Sequence, residues 1–564
     1  MIAELPPGLI LIVGALLIPL LRPHLRPYLM LALPVAALVQ LLTLPAGLHA
    51  QVDILGHSLV FLRIDGLSFV FGLIFLIAAV LNVIYGWHED DPVQQVSGLV
   101  YAGAAVGAVF VGDLVSLFVF WELTAIASVF LIWASRTERA YRAGMRYLLV
   151  QIGSGVILLA GVILHYRATG SIAFDRLELT GLPTALILFA FGIKCAFPLL
   201  HNWLQDAYPE ATVVGTVILS AFTTKLAAYA LARSFAGTDM LIWIGAIMAV
   251  FPIVYAVIEN DLRRVMAYIL NNQLGFMVVG VGIGTPLALN GVAALAFCGI
   301  LYKALLFMCL GAVLFRAGSA RASDLGGLWK SMPWTTGFCI VGGASISAVP
   351  LFAGFIAKSM VLAAVAEGGH WIVWLVLLAA SAGVFHQTGL RIPYAAFFAR
   401  NPEIRCREAP LNMLAAMGIT SLLCIAIGVY PAMLYAVLPY QVDFAVYTAS
   451  HVVTQLQLLA FAALAFSILL RHRVYPQDVP SINLDSDWIY RRLLPAFVDV
   501  YRDGLRMMRF RAIARAQVRL NRFIAAVYRH HGPQGVLART WPVGSTVLWV
   551  AVLLCVTLVF YYIE

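Results

Sequence analysis

The chain has 564 residues, 62% of them hydrophobic and only 11% charged, with a mean hydropathy of +0.93. Those values exclude a string of soluble domains and place the chain among polytopic membrane proteins. Its formal net charge of +9 reads as membrane orientation and not as nucleic-acid affinity, because the basic residues collect between apolar runs.

Segments of roughly 17 to 25 apolar residues, each long enough to cross ~30 Å of hydrocarbon as a helix, recur about sixteen times. The predicted spans are 6–21, 27–46, 64–87, 97–112, 113–135, 141–165, 183–204, 211–234, 239–259, 261–284, 288–316, 335–366, 371–390, 411–437, 451–470 and 543–562. The first run, "MIAELPPGLILIVGALLIPLLRP", lacks a basic leading region and a small-residue cleavage site, so a retained helix is expected. Between the second and third spans, "AQVDILGHSLVFLR" (50–63) alternates weakly and is too polar to span; it predicts an extended hairpin on one membrane face. "GVGIGTPLALNG" (280–291) has alternating glycines but follows a membrane helix, which excludes a dinucleotide-binding turn.

The stretch from Arg471 to Thr540 is too polar to span. It carries ten arginines between 491 and 529, with Arg511, Arg515, Arg519 and Arg522 at helical spacing opposite Leu505, Met508, Ala512, Ala516, Leu520 and Ile524. That pattern predicts an amphipathic interfacial helix on the cytoplasmic face.

Loop charge sets the orientation. One alternate set of loops holds Arg22, Arg26, Arg136, Arg139, Arg142, Arg146, Arg263, Arg264, Arg316, Arg321, Lys330, Arg391, Arg400, Arg405 and Arg407, whereas the other holds only Arg63, Arg167, Arg176 and Arg233. Basic loops stay cytoplasmic, so both termini are expected outside the cytoplasm. The seven cysteines show no CxxC spacing; disulfides, zinc and iron–sulfur clusters are not expected, and no metal site is read from them.

Of 36 basic residues only five are lysines: 194, 225, 303, 330 and 358. Lys330 alone falls in a predicted loop, and Lys194, Lys225 and Lys303 fall near the middle of spans. Arginine keeps its proton at any accessible pH, whereas a lysine amine, with a reference pKa of ~10.4, can give its proton up when taken out of water. A shift of ~2 units is ~2.7 kcal/mol, close to the ~2.3 kcal/mol one charge gains across 100 mV. Buried lysines therefore suit proton transfer against a membrane potential, the bland alternative being snorkelling to the headgroups.

Glu122 lies near the centre of "DLVSLFVFWELTAIASVFLIW" and is expected to pair with Lys194, a structural hydrogen-bonding role being the alternative. Pro198 lies four residues after Lys194 and Pro350 eight before Lys358, so both spans should break there and free backbone groups that only a protein-lined or wet cavity satisfies. Breaks in two halves predict inverted repeats, in which Lys194 corresponds to Lys358 and Lys225 to a position near His386. Asn272 and Gln273, with Asn271, stand where they could orient relay water, ordinary helix–helix hydrogen bonding being the alternative. The expected fold is an all-α polytopic membrane protein of about sixteen transmembrane helices with two inverted five-helix repeats, two broken helices and a C-terminal amphipathic helix. The expected divisions are 1–96, repeats at 97–234 and 235–390, further spans at 391–470, the basic segment at 471–542 and a last span at 543–564.

In order along the chain, "WELTAIASVFLIW", "KCAFPLLHNWLQDAYPEAT", "TTKLAAYAL", "ENDLRRVMAY", "LYKALLF" and "GFIAKSMV" resemble the antiporter-like, proton-translocating subunits of respiratory complex I and of multisubunit cation/proton antiporters. The likeness runs from about residue 60 to 400, and "FGIKCAFPLL", "FTTK" and "SDWIYRR" most resemble the D-type subunit of Mrp antiporters. The resemblance implies a bacterial inner-membrane subunit that moves protons, exchanged for a cation such as sodium, with Glu122 and Lys194 as acid and base, Lys225 bridging, Lys303 central and Lys358 on the second broken helix. It also implies partner membrane subunits, no cofactor, and a basic lateral helix that braces them.

One departure is visible. Relatives commonly carry histidines four and eight residues before the lysine matching Lys303, where this chain has Gly299 and Leu295. Water in the space at Gly299 could replace imidazole, or the subunit could be a non-conducting scaffold. A proton-pumping subunit of a redox enzyme, complex I-like or a membrane hydrogenase, is the remaining reading.

Overall fold

The computed structural model describes residues 5–54, 56–399, 406–472, 485–486, 488–540 and 542–563. Arg400 and Arg405 of the basic loop set, residues 473–484 of the polar C-terminal segment, and Asp487 of "SDWIYRR" lie outside the described residues.

The chain is helical almost throughout. It runs through α1 (Pro7–Ala15), α2 (Arg26–Thr43), a hairpin of β1 (Gly47–Ile54) and β2 (His57–Ile64), α3 (Gly66–Tyr85), α4 (Pro92–Phe110), α5 (Leu114–Trp133) and α6 (Glu138–Thr169). There follow α7 (Leu182–Lys194), α8 (Asn202–Ala207), α9 (Val213–Ala221), α10 (Thr223–Ser234), α11 (Asp239–Ile258), α12 (Leu262–Ile283) and α13 (Pro286–Ala317). The next are α14 (Pro333–Ile346), α15 (Ala353–Glu367), α16 (Trp371–Val384), α17 (Leu411–Val429), α18 (Ala432–Tyr435) and α19 (Ala449–Arg471). The predicted hairpin is present, its strands antiparallel from Gly47 opposite Ile64 to Ile54 opposite His57.

Among the described residues, thirteen helical segments are long and apolar enough to cross a membrane. The other three predicted spans fall on the short Pro7–Leu20 segment, on α7, and on α14 with α15. The protein is a multi-pass membrane protein. α13 lies at the centre: its most apolar stretch is wholly buried, and it packs on α12, α15, α9, α14, α17 and α3.

Side-chain caps start many of these helices. Asp113 accepts from the Ser116 N–H, Thr137 from Ala140, Thr212 from Gly215, Asp261 from Arg263 and Arg264, and Thr285 from Ala288; each such cap is worth ~1 kcal/mol. Asp65 and Ser68 form a reciprocal capping box at α3. Burial opposes ionisation of Asp65, but the Arg233 guanidinium, bonded to both carboxylate oxygens at 2.8 Å, outweighs it and, with the Ser68 N–H and Arg63, holds the carboxyl below its ordinary pKa.

Two stretches reproduce one another. The Leu114 N–H bonds the Ile172 carbonyl and Phe174 N–H the Gly112 carbonyl; at a constant offset, Leu262 bonds Ala320 and Ala322 bonds Asn260. Both α6 and α13 have 32 residues and end on a left-handed glycine, Gly170 and Gly318.

The two predicted helix breaks are present and share one backbone device. After α7 the Ala196 N–H bonds Ile193 and the Phe197 N–H bonds Gly192; after α14 the Ala348 N–H bonds Ser345 and the Val349 N–H bonds Ala344. This is the Schellman closure, which calls for a left-handed residue and usually takes glycine. Here alanine fills it, with φ of 59° at Ala196 and 58° at Ala348, and leucine takes a second left-handed position, 68° at Leu199 and 73° at Leu351. Such residues cost ~1–3 kcal/mol each. Pro198 and Pro350, between them, prevent the helix from continuing.

The C-terminal residues from Leu484 form a separate unit. It contains α20 (Leu494–His531), a 38-residue helix with no buried residue, and α21 (Val543–Ile563), apolar enough to span a membrane. A helix is therefore present over the arginine-rich segment where one was predicted.

Candidate proton-transfer site

Lys194, Lys225 and Lys303 are 0% exposed and Lys358 1%, so none of the four snorkels, whereas Lys330 is exposed and lies over the Trp329 ring. An ionised ammonium held at such depth costs several kcal/mol unless other groups compensate it.

Lys194 is the last residue of α7, immediately before the first break. The negative end of the helix dipole favours a cation there. Its Nζ donates to the Trp121 carbonyl and to Thr124 Oγ1 (2.9 Å), and lies 4.4 Å from the centroid of the Trp121 ring. That ring is fixed in turn: Trp121 Nε1 donates to Ser154 Oγ (3.1 Å), which donates to the Ala190 carbonyl (2.8 Å).

Glu122 is within electrostatic reach of Lys194. No ion pair within 4 Å joins the two among the described residues, so Lys194 is held by the neighbours of Glu122 in sequence and not by its carboxylate. The carboxylate is half-buried in a notch at Gly155 of α6, where a Cβ would overlap it, and its Oε1 has no hydrogen-bond partner.

Lys225 stands in the first turn of α10, just after a break that carries no proline. α9 stops at Ala221 and Phe222 is distorted from ideal helical values (φ −106°, ψ −69°) while staying in the right-handed region. The Ser220 carbonyl, released from the helical ladder, accepts from Lys225 Nζ. The Tyr101 hydroxyl braces the restart by accepting from the Thr223 N–H (3.0 Å). Lys225 also faces Lys303, which projects from the middle of α13, and the Cys195 thiol next to Lys194 lies within electrostatic reach of Lys225. Lys358, on α15 beyond the second break, donates to Ser381 Oγ (3.3 Å), lies 5.3 Å from the Phe276 ring centroid and acts electrostatically on Lys303. The five residues thus form one row across α5, α7, α10, α13 and α15.

Of the remaining predicted residues, Asn272 and Gln273 lie on α12 in a hydrogen-bonded chain: Asn272 Nδ2 donates to the Ala249 carbonyl, Gln273 Nε2 to Asn272 Oδ1 (2.8 Å), and the Tyr302 hydroxyl to Gln273 Oε1 (3.0 Å). His386 lies in a π-helical turn and stands edge-on to the Phe466 ring of α19, centroids 5.0 Å apart. Pro198 and Pro350 sit within the two breaks, each between its pair of left-handed residues.

Sequence reasoning missed several groups. Gln151, Gln205, Tyr208 and Thr224 are buried with side-chain polar atoms that have no protein partner among the described residues, as is Asn271, which the sequence had already offered. Buried polar atoms normally find one. Gln151 and Thr224 could have drawn attention only as polar residues within apolar spans, and Gln205 and Tyr208, between two spans, carried no such signal. A cavity of about 360 Å³ also opens between α15, α16 and α19, walled by Ser359, Trp374, Leu378, His451, Thr454 and Gln455. Ser359 follows Lys358 in the chain, and Gln455 donates to the Ser347 carbonyl at the second break.

Comparison with known proteins accords with this geometry. Residues 111–384 match the family described as "NADH:quinone oxidoreductase/Mrp antiporter, TM". The N subunit of an NADH-quinone oxidoreductase of Desulforudis audaxviator is 30% identical over 364 residues, 60% of this chain and 70% of that protein. The chain belongs to this family. The A/B subunit of a probable K(+)/H(+) antiporter of Rhizobium meliloti is 31% identical over 403 residues, 66% of this chain but only 40% of the relative's length. A protein in the structure of the Mrp complex from a Dietzia species shares the fold at a TM-score of 0.68 and 21% identity, covering 80% of this chain and 99% of that one. The antiporter-like resemblance drawn from the six sequence motifs is thus confirmed.

Proposed function

We propose that the chain is the proton-translocating membrane subunit of a multisubunit sodium/proton antiporter of the bacterial inner membrane, passing protons along Glu122, Lys194, Lys225, Lys303 and Lys358. The observation that carries this reading is the row itself: four fully buried amines and one half-buried acid, each base next to a helix break or on the central helix. A structural core has no use for four fully buried lysines, whereas an amine can load and release a proton there. The polar groups Gln151, Gln205, Tyr208 and Thr224 would accompany the proton on one side, and the cavity beside Ser359 would open the row on the other. The reading includes two inverted five-helix repeats, 97–234 and 235–390, supported by the recurring backbone pairings. It includes partner membrane subunits, and both termini outside the cytoplasm.

A second reading is favoured by the match to 70% of an NADH-quinone oxidoreductase subunit: the same proton path coupled to a redox enzyme. One experiment separates them. The chain, affinity-tagged in its native membrane, is purified with whatever accompanies it and reconstituted into liposomes containing a pH dye. Sodium-driven proton movement by partners without flavin or iron–sulfur subunits supports the antiporter; movement only on addition of NADH or a quinone supports the second reading. No proton movement under either drive, with a complete complex, leaves the scaffold and removes both.

A further inference from the structure

Lys303 occupies the middle of the row, and among the described residues no acid stands within electrostatic reach of it. Its Nζ has no oxygen acceptor and faces the Nζ of Lys225, and Lys358 is another base. An ammonium has three donors and no acceptor, so the loaded form of Lys303 needs a neutral oxygen nearby.

The neighbouring residue on α13 supplies one. The Ala249 carbonyl accepts from Asn272 Nδ2, which turns Asn272 Oδ1 toward Gln273. Gln273 must then offer its amino group to Asn272 and its Oε1 to Tyr302, whose hydroxyl proton is committed to that bond. A phenol has one proton to donate. With that proton held by Gln273, the oxygen lone pairs of Tyr302 remain for a donor on its other side.

That other side is the notch at Gly299. The point where a Gly299 Cβ would stand is 3.3 Å from the Tyr302 hydroxyl oxygen, 3.3 Å from Lys303 Cε and 3.4 Å from Lys303 Nζ. The two tips therefore share one small space, within about 7 Å of each other, a span that one water or one side-chain rotation closes. A bulkier residue at 299 would fill it.

We infer that Tyr302, fixed by the Ala249–Asn272–Gln273 hydrogen-bond chain, is the positioning residue that accepts the hydrogen bond of protonated Lys303 across the notch at Gly299. This rests on the proposed role of Lys303 as a proton carrier. It assigns the Asn272 and Gln273 side chains to orienting a hydroxyl and not to carrying the proton themselves.

The test uses the complete complex in liposomes, with sodium-driven proton exchange measured at matched assembly. Tyr302→Phe is expected to slow exchange about tenfold, the lower end of the scale of one buried hydrogen bond to a charged group. Gln273→Leu is expected to slow it by about half that factor, and to add nothing in the Tyr302→Phe background. Adding Gly299→Ser to Tyr302→Phe returns a hydroxyl to the same space and is expected to recover more than half the lost rate, which restored packing alone would not do. Should Tyr302→Phe assemble poorly because Gln273 Oε1 is left unpaired, the Tyr302→Phe/Gln273→Leu pair removes both partners and is compared with and without Gly299→Ser. Normal exchange in Tyr302→Phe alongside a dead Lys303→Ala overturns the inference and spares the proton path; loss without recovery by Gly299→Ser also overturns it. Normal exchange in Lys303→Ala removes the proton path itself.

Discussion

At Ala196–Leu199 and at Ala348–Leu351 the backbone makes the same excursion, yet the helix before it ends on Lys194 in the first case and on Ile346 in the second. The asymmetry extends along the repeats. At the offset that superposes Asp113 on Asp261, Glu122 meets Leu270 and Lys303 meets Gly155, the residue that makes room for the Glu122 carboxylate. Lys194 precedes its break and Lys358 follows its own, so the repeat register does not superpose these two lysines. On the proposed repeats, one half thus carries an acid with two bases of the row and the other carries bases alone. The backbone groups released at each break are the same; what differs is whether the protonated amine has a carboxylate within electrostatic reach or must rely on hydroxyls and carbonyls.

The sharpest break of this comparison is at the centre. Lys303→Ala in the assembled complex is expected to lower sodium/proton exchange by more than about 100-fold, and Lys303→Arg, which keeps charge but cannot give up its proton, by nearly as much; equal exchange in the arginine variant would show that charge alone matters. Next comes the acid that only one half possesses. Glu122→Gln is expected to slow exchange by about tenfold, less than the ~100-fold or more typical of losing a group that itself transfers the proton, whereas Leu270→Gln at the equivalent site should change it less than about twofold.

A smaller effect tests the notch. Gly155→Ala places a methyl group on the Glu122 carboxylate and should slow exchange several-fold, while Gly153→Ala, whose Cβ meets nothing within 4 Å, should leave exchange unchanged and stabilise the helix by up to about 1 kcal/mol. The smallest effect on transport is expected far from the row. Asp65→Asn leaves the Arg233 charge unpaired and should lower thermal stability in detergent at neutral pH by ~1–3 kcal/mol without altering turnover. Because Asp65 has a folded pKa below its unfolded one, its contribution is present above about pH 4 and fades as pH falls through the folded pKa, so the two melting curves should converge in acid.

Much of this was legible in the residues. Lysine confined to apolar spans marked the row, because burial is costly enough that composition alone reports it. Proline marked two breaks, the weak alternation of 50–63 marked the hairpin, and arginine spacing marked α20. Other features leave no such trace. The break at Phe222 carries neither proline nor glycine and is held by tertiary contacts, the Ser220 carbonyl with Lys225 and the Thr223 N–H with Tyr101. The partners of Lys194 are a backbone carbonyl and a threonine that nothing in "WELT" distinguishes from ordinary helix content. Two arginines counted as loop charge are buried instead. Arg263 donates to the Ala211 and Thr212 carbonyls and Arg391 to the Ala256 and Glu259 carbonyls, where they satisfy helix-end carbonyls that apolar residues could not.

Lys194→Arg tests the central claim most directly, because the site holds a permanent cation as readily as a transient one: a helix C-terminus, an aromatic face and two oxygen acceptors. The measurement is the initial rate of sodium-driven proton exchange by the reconstituted complex, with assembly checked by subunit stoichiometry. A fall of more than about tenfold with full assembly is the predicted result. A rate equal to that of the unmodified complex would show that the amine never parts with its proton, and would contradict the account.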